Sequence, residues 1–116
     1  MMFDGGRRAA VAALALAVML TLAGCDYRDA PQGAPLRALA AEPQTYQGSL
    51  VATSGVVRGF DDPEHYWIED EALNRVELEP LALAREHLGQ RVQVVGTFHY
   101  DPGQGRWLEV RDFSPL

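Results

Sequence analysis

The densest group of chemically able side chains in this 116-residue sequence is His65-Tyr66-Trp67-Ile68-Glu69-Asp70, preceded by Asp61-Asp62-Pro63-Glu64 and followed by Glu71. A tryptophan beside carboxylates suits stacking on a sugar ring or anchoring a peptide: the indole offers a large apolar face, and the carboxylate accepts hydrogen bonds. With Tyr66 and Ile68 directed inward, Trp67 and Glu69 face outward, and together with His65 and Asp70 they make a candidate ligand face. The alternative for Trp67 is structural, as a cover over an open end of the fold or a contact under an N-terminal helix. Nucleic-acid platforms combine such aromatics with a basic groove. Here the flanking residues are acidic, the chain has no Lys, and its formal net charge is −6. Phosphate binding depends on Lys and Arg, so a nucleic-acid partner is excluded and a cationic one is the more natural expectation.

Nothing in the chain has the spacing of a catalytic centre. Ser49, Ser54 and Ser114 lie in no G-x-S-x-G or S-x-x-K context, and loop carboxylates are ordinarily solvated. No catalytic residue is expected and the chain reads as a non-enzyme. His65, His87 and His99 show no H-x-x-x-H spacing, and a metal site would need three or four converging ligands. No metal and no cofactor are expected. A small-ligand or metal-handling protein built around His65 and the acidic loops is the second expectation, and a purely structural envelope protein the third.

The one cysteine, Cys25, excludes an intramolecular disulfide. It follows Leu22-Ala23-Gly24, which ends an uncharged apolar run at residues 9–23 preceded by Arg7 and Arg8. That run is shorter than the roughly 20 residues needed to span a bilayer, so it reads as a cleaved secretory signal. Leu22-Ala23-Gly24-Cys25 resembles the lipobox of bacterial lipoproteins. The resemblance implies a diacylglyceryl group on the Cys25 thiol, cleavage before it, and a mature chain held to the membrane by two or three acyl chains. Two chains anchor stably where one does not, since each buried CH₂ contributes about 0.8 kcal/mol. Asp26 resembles the inner-membrane retention signal of enteric lipoproteins, and a periplasm-facing location follows.

These features divide the chain into a signal peptide at 1–24, a lipidated Cys25 with a flexible tether at 25–35, and one domain at 36–116. The tether reading rests on residues 26–35, DYRDAPQGAP, rich in Pro and nearly free of apolar side chains. A short helix at Leu36–Ala41 should stop at Pro43. Two segments, Gly48–Val57 and Gly89–Phe98, fit the same pattern G-x-x-V-x-[VT]-x-G-x-[VF]. Their alternation predicts strands with Val51, Thr53, Val57 and Val92, Val94, Phe98 inward. Gly55 and Gly96 fall mid-strand, where a bend or bulge is the usual reason for the missing Cβ. Strands are also expected at Tyr66–Asp70, Arg75–Glu79 and Trp107–Arg111, and a helix at Leu81–Leu88 capped by Gly89.

The predicted order β-β-β-α-β-β resembles the OB-fold, a mainly β, five-stranded barrel with one interstrand helix. Pro43-x-x-Tyr46-x-Gly48-x-x-Val51 with the second glycine-valine block is similar to small OB-fold domains of exported bacterial proteins, across residues 36–114. An SH3-like barrel is the structural alternative. The resemblance implies a non-catalytic binding or accessory module of the cell envelope, using Trp67, Glu69, Asp70 and His65 on an envelope protein, a peptide or a glycan.

Overall fold

Alternation of β-branched and polar residues builds most of the chain into strands. A computed structural model describes residues 30–116. It contains β1 (Gln32–Gly33), α1 (Leu36–Ala41), α2 (Pro43–Tyr46), β2 (Leu50–Asp61), β3 (Glu64–Glu69), β4 (Arg75–Glu79), α3 (Leu81–Arg85), β5 (Arg91–Asp101) and β6 (Gly105–Pro115). All six residues expected inward on β2 and β5 are buried. Tyr66 and Ile68 from β3, Val76 and Leu78 from β4, and Leu108 and Val110 from β6 join them, with Leu36 and Leu39 of α1 closing the same core. Each fully buried Val, Leu, Ile or Phe contributes roughly 1.5–3 kcal/mol, so this core is the main source of stability.

β2 serves two neighbours. Leu50–Val56 pair antiparallel with β5, and Val56–Asp61 pair antiparallel with β3. β3 continues antiparallel to β4, β4 runs parallel to β6, and β6 runs antiparallel to β5. The pairing therefore runs β2-β3-β4-β6-β5 and returns to β2. A parallel pair cannot be joined by a tight turn, and the β4–β6 connection is long because it carries α3 and β5.

The two mid-strand glycines sit where this arrangement is tightest. A Cβ on Gly55 would lie 2.5 Å from the Glu69 carbonyl oxygen, next to the point at which β2 changes partner. A Cβ on Gly96 would lie 2.5 Å from the Glu109 carbonyl oxygen, at the register shift between Val95 and Gly96. Both positions need a missing side chain because a neighbouring strand's backbone occupies its place.

Three boundaries differ from expectation. The compact unit begins at Pro31, so residues 31–35, expected as tether, belong to it. Gln32 and Gly33 pair in parallel with Val51 and Ala52, the Ala34 N–H donates to the Ala52 carbonyl at 2.9 Å, and Ala34 is buried. Pro43 ends α1 but also opens α2, at the first helical position where its missing N–H leaves no bond unmade. The helix expected to reach Leu88 ends at Arg85, with Ala84 buried and Leu88 54 % exposed. The chain must turn early because the Gly89 N–H, at φ +83°, is drawn to the Val57 carbonyl at 2.8 Å. Cys25, Asp26 and the apolar run lie outside the described residues.

Candidate functional site

Because Tyr66, Ile68, Val76, Leu78 and Leu108 turn inward, the residues between them turn outward on one continuous sheet face. The registers align Arg58, Trp67, Glu77, Trp107 and His99 as one row across β2, β3, β4, β6 and β5. Neighbouring strands lie about 4.8 Å apart, so the two tryptophans stand on backbones roughly 10 Å apart with Glu77 between them. Both indoles are half-buried. Trp67 is not among the residues of the core.

Each tryptophan has an imidazole companion. His65 packs against Trp67 with ring centroids 5.1 Å apart, and His99 stacks on Trp107 at 5.2 Å with 18° between the planes. His65 Nδ1 donates to Glu77 Oε2 at 3.2 Å, and His99 Nε2 donates to Glu109 Oε2 at 3.3 Å. The Arg75 guanidinium lies 4.9 Å from the Trp67 ring centroid. Trp67 Nε1 donates to Glu69 Oε1 at 3.4 Å, and Arg58 Nε approaches the same oxygen at 3.3 Å. This packing and pairing hold the indole in one orientation, which lowers the entropy that a ligand contact would otherwise cost.

The four residues expected as a ligand face therefore separate. His65, Trp67 and Glu69 share the outer surface. Asp70 is engaged by its own hairpin: its carboxylate accepts from the Ala72 N–H at 3.0 Å, the Asn74 N–H at 2.9 Å and the Asn74 side-chain amide at 3.0 Å. Burial alone would raise the Asp70 pKa, but these hydrogen bonds, with help from the charge of Arg37, outweigh it and hold the carboxyl below its ordinary value. An aspartate that must anchor a turn is poorly placed to meet a ligand as well.

The acidic character of the rim also changes. Arg85 donates Nε to Glu64 Oε2 at 2.7 Å and Nη2 to Oε1 at 2.8 Å, a bidentate pair between α3 and β3. The Tyr66 hydroxyl donates to the same Glu64 Oε2 at 2.7 Å. The Arg85 hydrogen bonds first, then that of Tyr66, lower the Glu64 pKa from 4.5 to about 2, and the Tyr66 hydroxyl is pushed above its usual value chiefly by its bond to Glu64. Glu64, Glu69 and Asp70 thus have local partners. Exposed negative charge on the outer face lies at Glu79 and at Glu109, which is opposite it in the register and meets His99.

Sequence reasoning missed Trp107, Arg75 and Glu77 as members of the site. Their outward orientation was readable, since Leu108, Val76 and Leu78 alternate with them, but their adjacency to Trp67 depends on which strands pair. Among the described residues, no group of three or more His, Cys, Asp and Glu side chains is gathered to hold a metal. His65–Glu77 and His99–Glu109 are separate two-donor pairs. No family model and no curated protein matches this chain.

Proposed function

We infer that the chain is a lipid-anchored, periplasm-facing module of the bacterial cell envelope that binds a partner without catalysing a reaction. The observation that carries the binding role is the cross-strand row Arg58–Trp67–Glu77–Trp107–His99, two oriented indoles flanking a carboxylate on a solvent face. The returning order of strand pairs, with a helix between β4 and β5, supports reading the domain as an OB-type barrel in which β2–β6 are strands one to five. Ligands of that fold commonly meet the face of strands two and three and the adjoining loops. Here those are β3 and β4, with the turns at residues 62–63 and 102–104, so the row crosses the surface such a barrel would use.

Lipid anchorage rests on the sequence Leu22-Ala23-Gly24-Cys25. From Cys25 to Pro31 a fully extended chain reaches only about 20 Å, at roughly 3.3–3.6 Å per residue, which would keep the domain beside the bilayer. Asp26 favours the inner membrane. The test is Cys25→Ser expressed in a bacterial host and followed by fractionation and labelled-palmitate incorporation. An unprocessed precursor without lipid is expected. Migration and fractionation identical to the wild-type protein would refute the anchorage.

A further inference from the structure

Trp67 already carries a cation of the protein's own. Arg75 lies over its ring at 4.9 Å, and Glu69 accepts from its indole N–H at 3.4 Å. A planar guanidinium gains from the electron-rich face of an indole and from a nearby carboxylate at once. Two strands away, Trp107 also has an imidazole against its ring and carboxylates nearby, but among the described residues no arginine lies over it. His99 stacks on the ring, Glu77 stands beside it in the row with its Oε2 accepting from His65 at 3.2 Å, and Glu79 is the next outward residue on β4.

An open cavity of about 340 Å³ lies at this point, with Trp107, Glu77, Glu79, His65 and Leu81 on its walls. That is within the range of small-molecule and side-chain pockets. Arg106 also borders it, with its Nη1 donating to the Ala40 carbonyl at 3.0 Å, and the two carboxylates leave the wall net negative with this guanidinium counted. Leu81, 37 % exposed, adds an apolar wall from α3. The cavity therefore combines carboxylates for a positive charge, an indole for a planar or ammonium head, and a leucine for an aliphatic stem.

We propose that this cavity receives an arginine or lysine side chain of a partner polypeptide, with its charge between Glu77 and Glu79 and against Trp107. The proposal rests on the outer face being a binding surface, and goes further by assigning the charge and shape of the group bound. Arginine is the better fit, because its fork can meet two carboxylates while its plane lies on the indole.

The test uses full-length protein in detergent, with binding followed by calorimetry and tryptophan emission. The probes are capped Gly-Gly-Arg-Gly-Gly, the same peptide with Gln at the centre, a free diamine and a neutral oligosaccharide. The Arg peptide is expected to bind best and to lose affinity as salt is raised. Combined Glu77→Gln and Glu79→Gln should weaken it at least about fivefold, with an unchanged melting temperature showing that the fold is kept. Asp112→Asn, an exposed carboxylate farther along β6 and outside the row, should leave it unchanged. Equal binding of the Arg and Gln peptides, or indifference to the double substitution, overturns the proposal. Diamine binding as tight as the peptide removes the polypeptide partner. If the Gln peptide or oligosaccharide binds in a manner weakened by Trp107→Phe, the cation assignment fails while the binding face stands; if no probe changes emission, both fail.

Discussion

Replacing Gly96 by alanine would set a methyl carbon 2.5 Å from the Glu109 carbonyl oxygen, 2.9 Å from the Val110 Cα and 3.0 Å from the Glu109 carbonyl carbon. The tightest tolerated carbon–oxygen approaches between strands are about 3.3 Å, so β5 and β6 would have to separate by roughly 0.8 Å. All three obstructing atoms are backbone, and no rotamer change can relieve them. Overpacking of this kind costs about 1–3 kcal/mol. A unit running from Pro31 to Leu116 has a total stability of only about 4–13 kcal/mol at 0.05–0.15 kcal/mol per residue. For a domain of this size each kcal/mol shifts the melting temperature by about 4–8 °C, so a loss of roughly 4–24 °C is expected. Gly33→Ala is the matched control: no atom lies within 4 Å of its Cβ position, and the change should be neutral or stabilise by up to about 1 kcal/mol through the unfolded chain. The assay is thermal unfolding by circular dichroism. Gly96→Ala melting within 2 °C or so of the wild type would show that the strands are not in the close contact described, and with it the reason for a glycine at the register shift would fall.

The Glu64–Arg85 pair makes stability depend on pH with a definite sign. The folded carboxyl titrates at about 2 against 4.5 when free, so its contribution is present above about pH 4.5 and is lost as pH falls toward 2. Arg85→Gln should flatten the melting temperature's dependence on pH within that window, and an unaltered slope would show that the pair does not carry it. In Asp70→Ala the hairpin loses the acceptor of three hydrogen bonds, for which a cost of about 1–2 kcal/mol is expected in denaturant unfolding. Leu73, in the same turn, holds φ +64° and is exposed. Leu73→Gly should relieve up to about 1 kcal/mol of left-handed strain, and hydrogen exchange at Asn74 would detect the firmer turn or show that none exists.

Alternation was the most legible level of the chain. The inward positions of Val51, Thr53, Val57, Val92, Val94 and Phe98 follow from a period of two, because successive strand side chains must point to opposite faces wherever one face is buried. The glycine in the middle of β5 was legible as a bulge for the same reason, since an unpacked position in a buried strand needs a compensating geometry. Helix length was less legible. Leu81, Ala84 and Leu88 keep helical spacing, yet the chain leaves the helix after Arg85 because the hydrogen bonds of Gly89 and Gln90 to Val57 compete for the same residues. The segment at 31–35 has the composition of a tether, and only the edge of β2, available beside Val51 and Ala52, makes it part of the sheet.

The candidate site divides in the same way. By itself the sequence determined that Trp67 and Glu69 point outward, that the chain is acidic and lacks lysine, and that its one cysteine follows Leu22-Ala23-Gly24. Tertiary structure alone decided that Trp107 stands one strand beyond Glu77 from Trp67, although 40 residues separate the two indoles in the chain. It also decided that Glu64 is neutralised by Arg85 across 21 residues and that Asp70 is bound by its hairpin. The orientation of a side chain relative to its own strand is a local property of the backbone, which sequence periodicity records. The identity of the neighbouring strand, and hence the partner of each charge and ring, depends on long-range pairing that no short window of sequence contains.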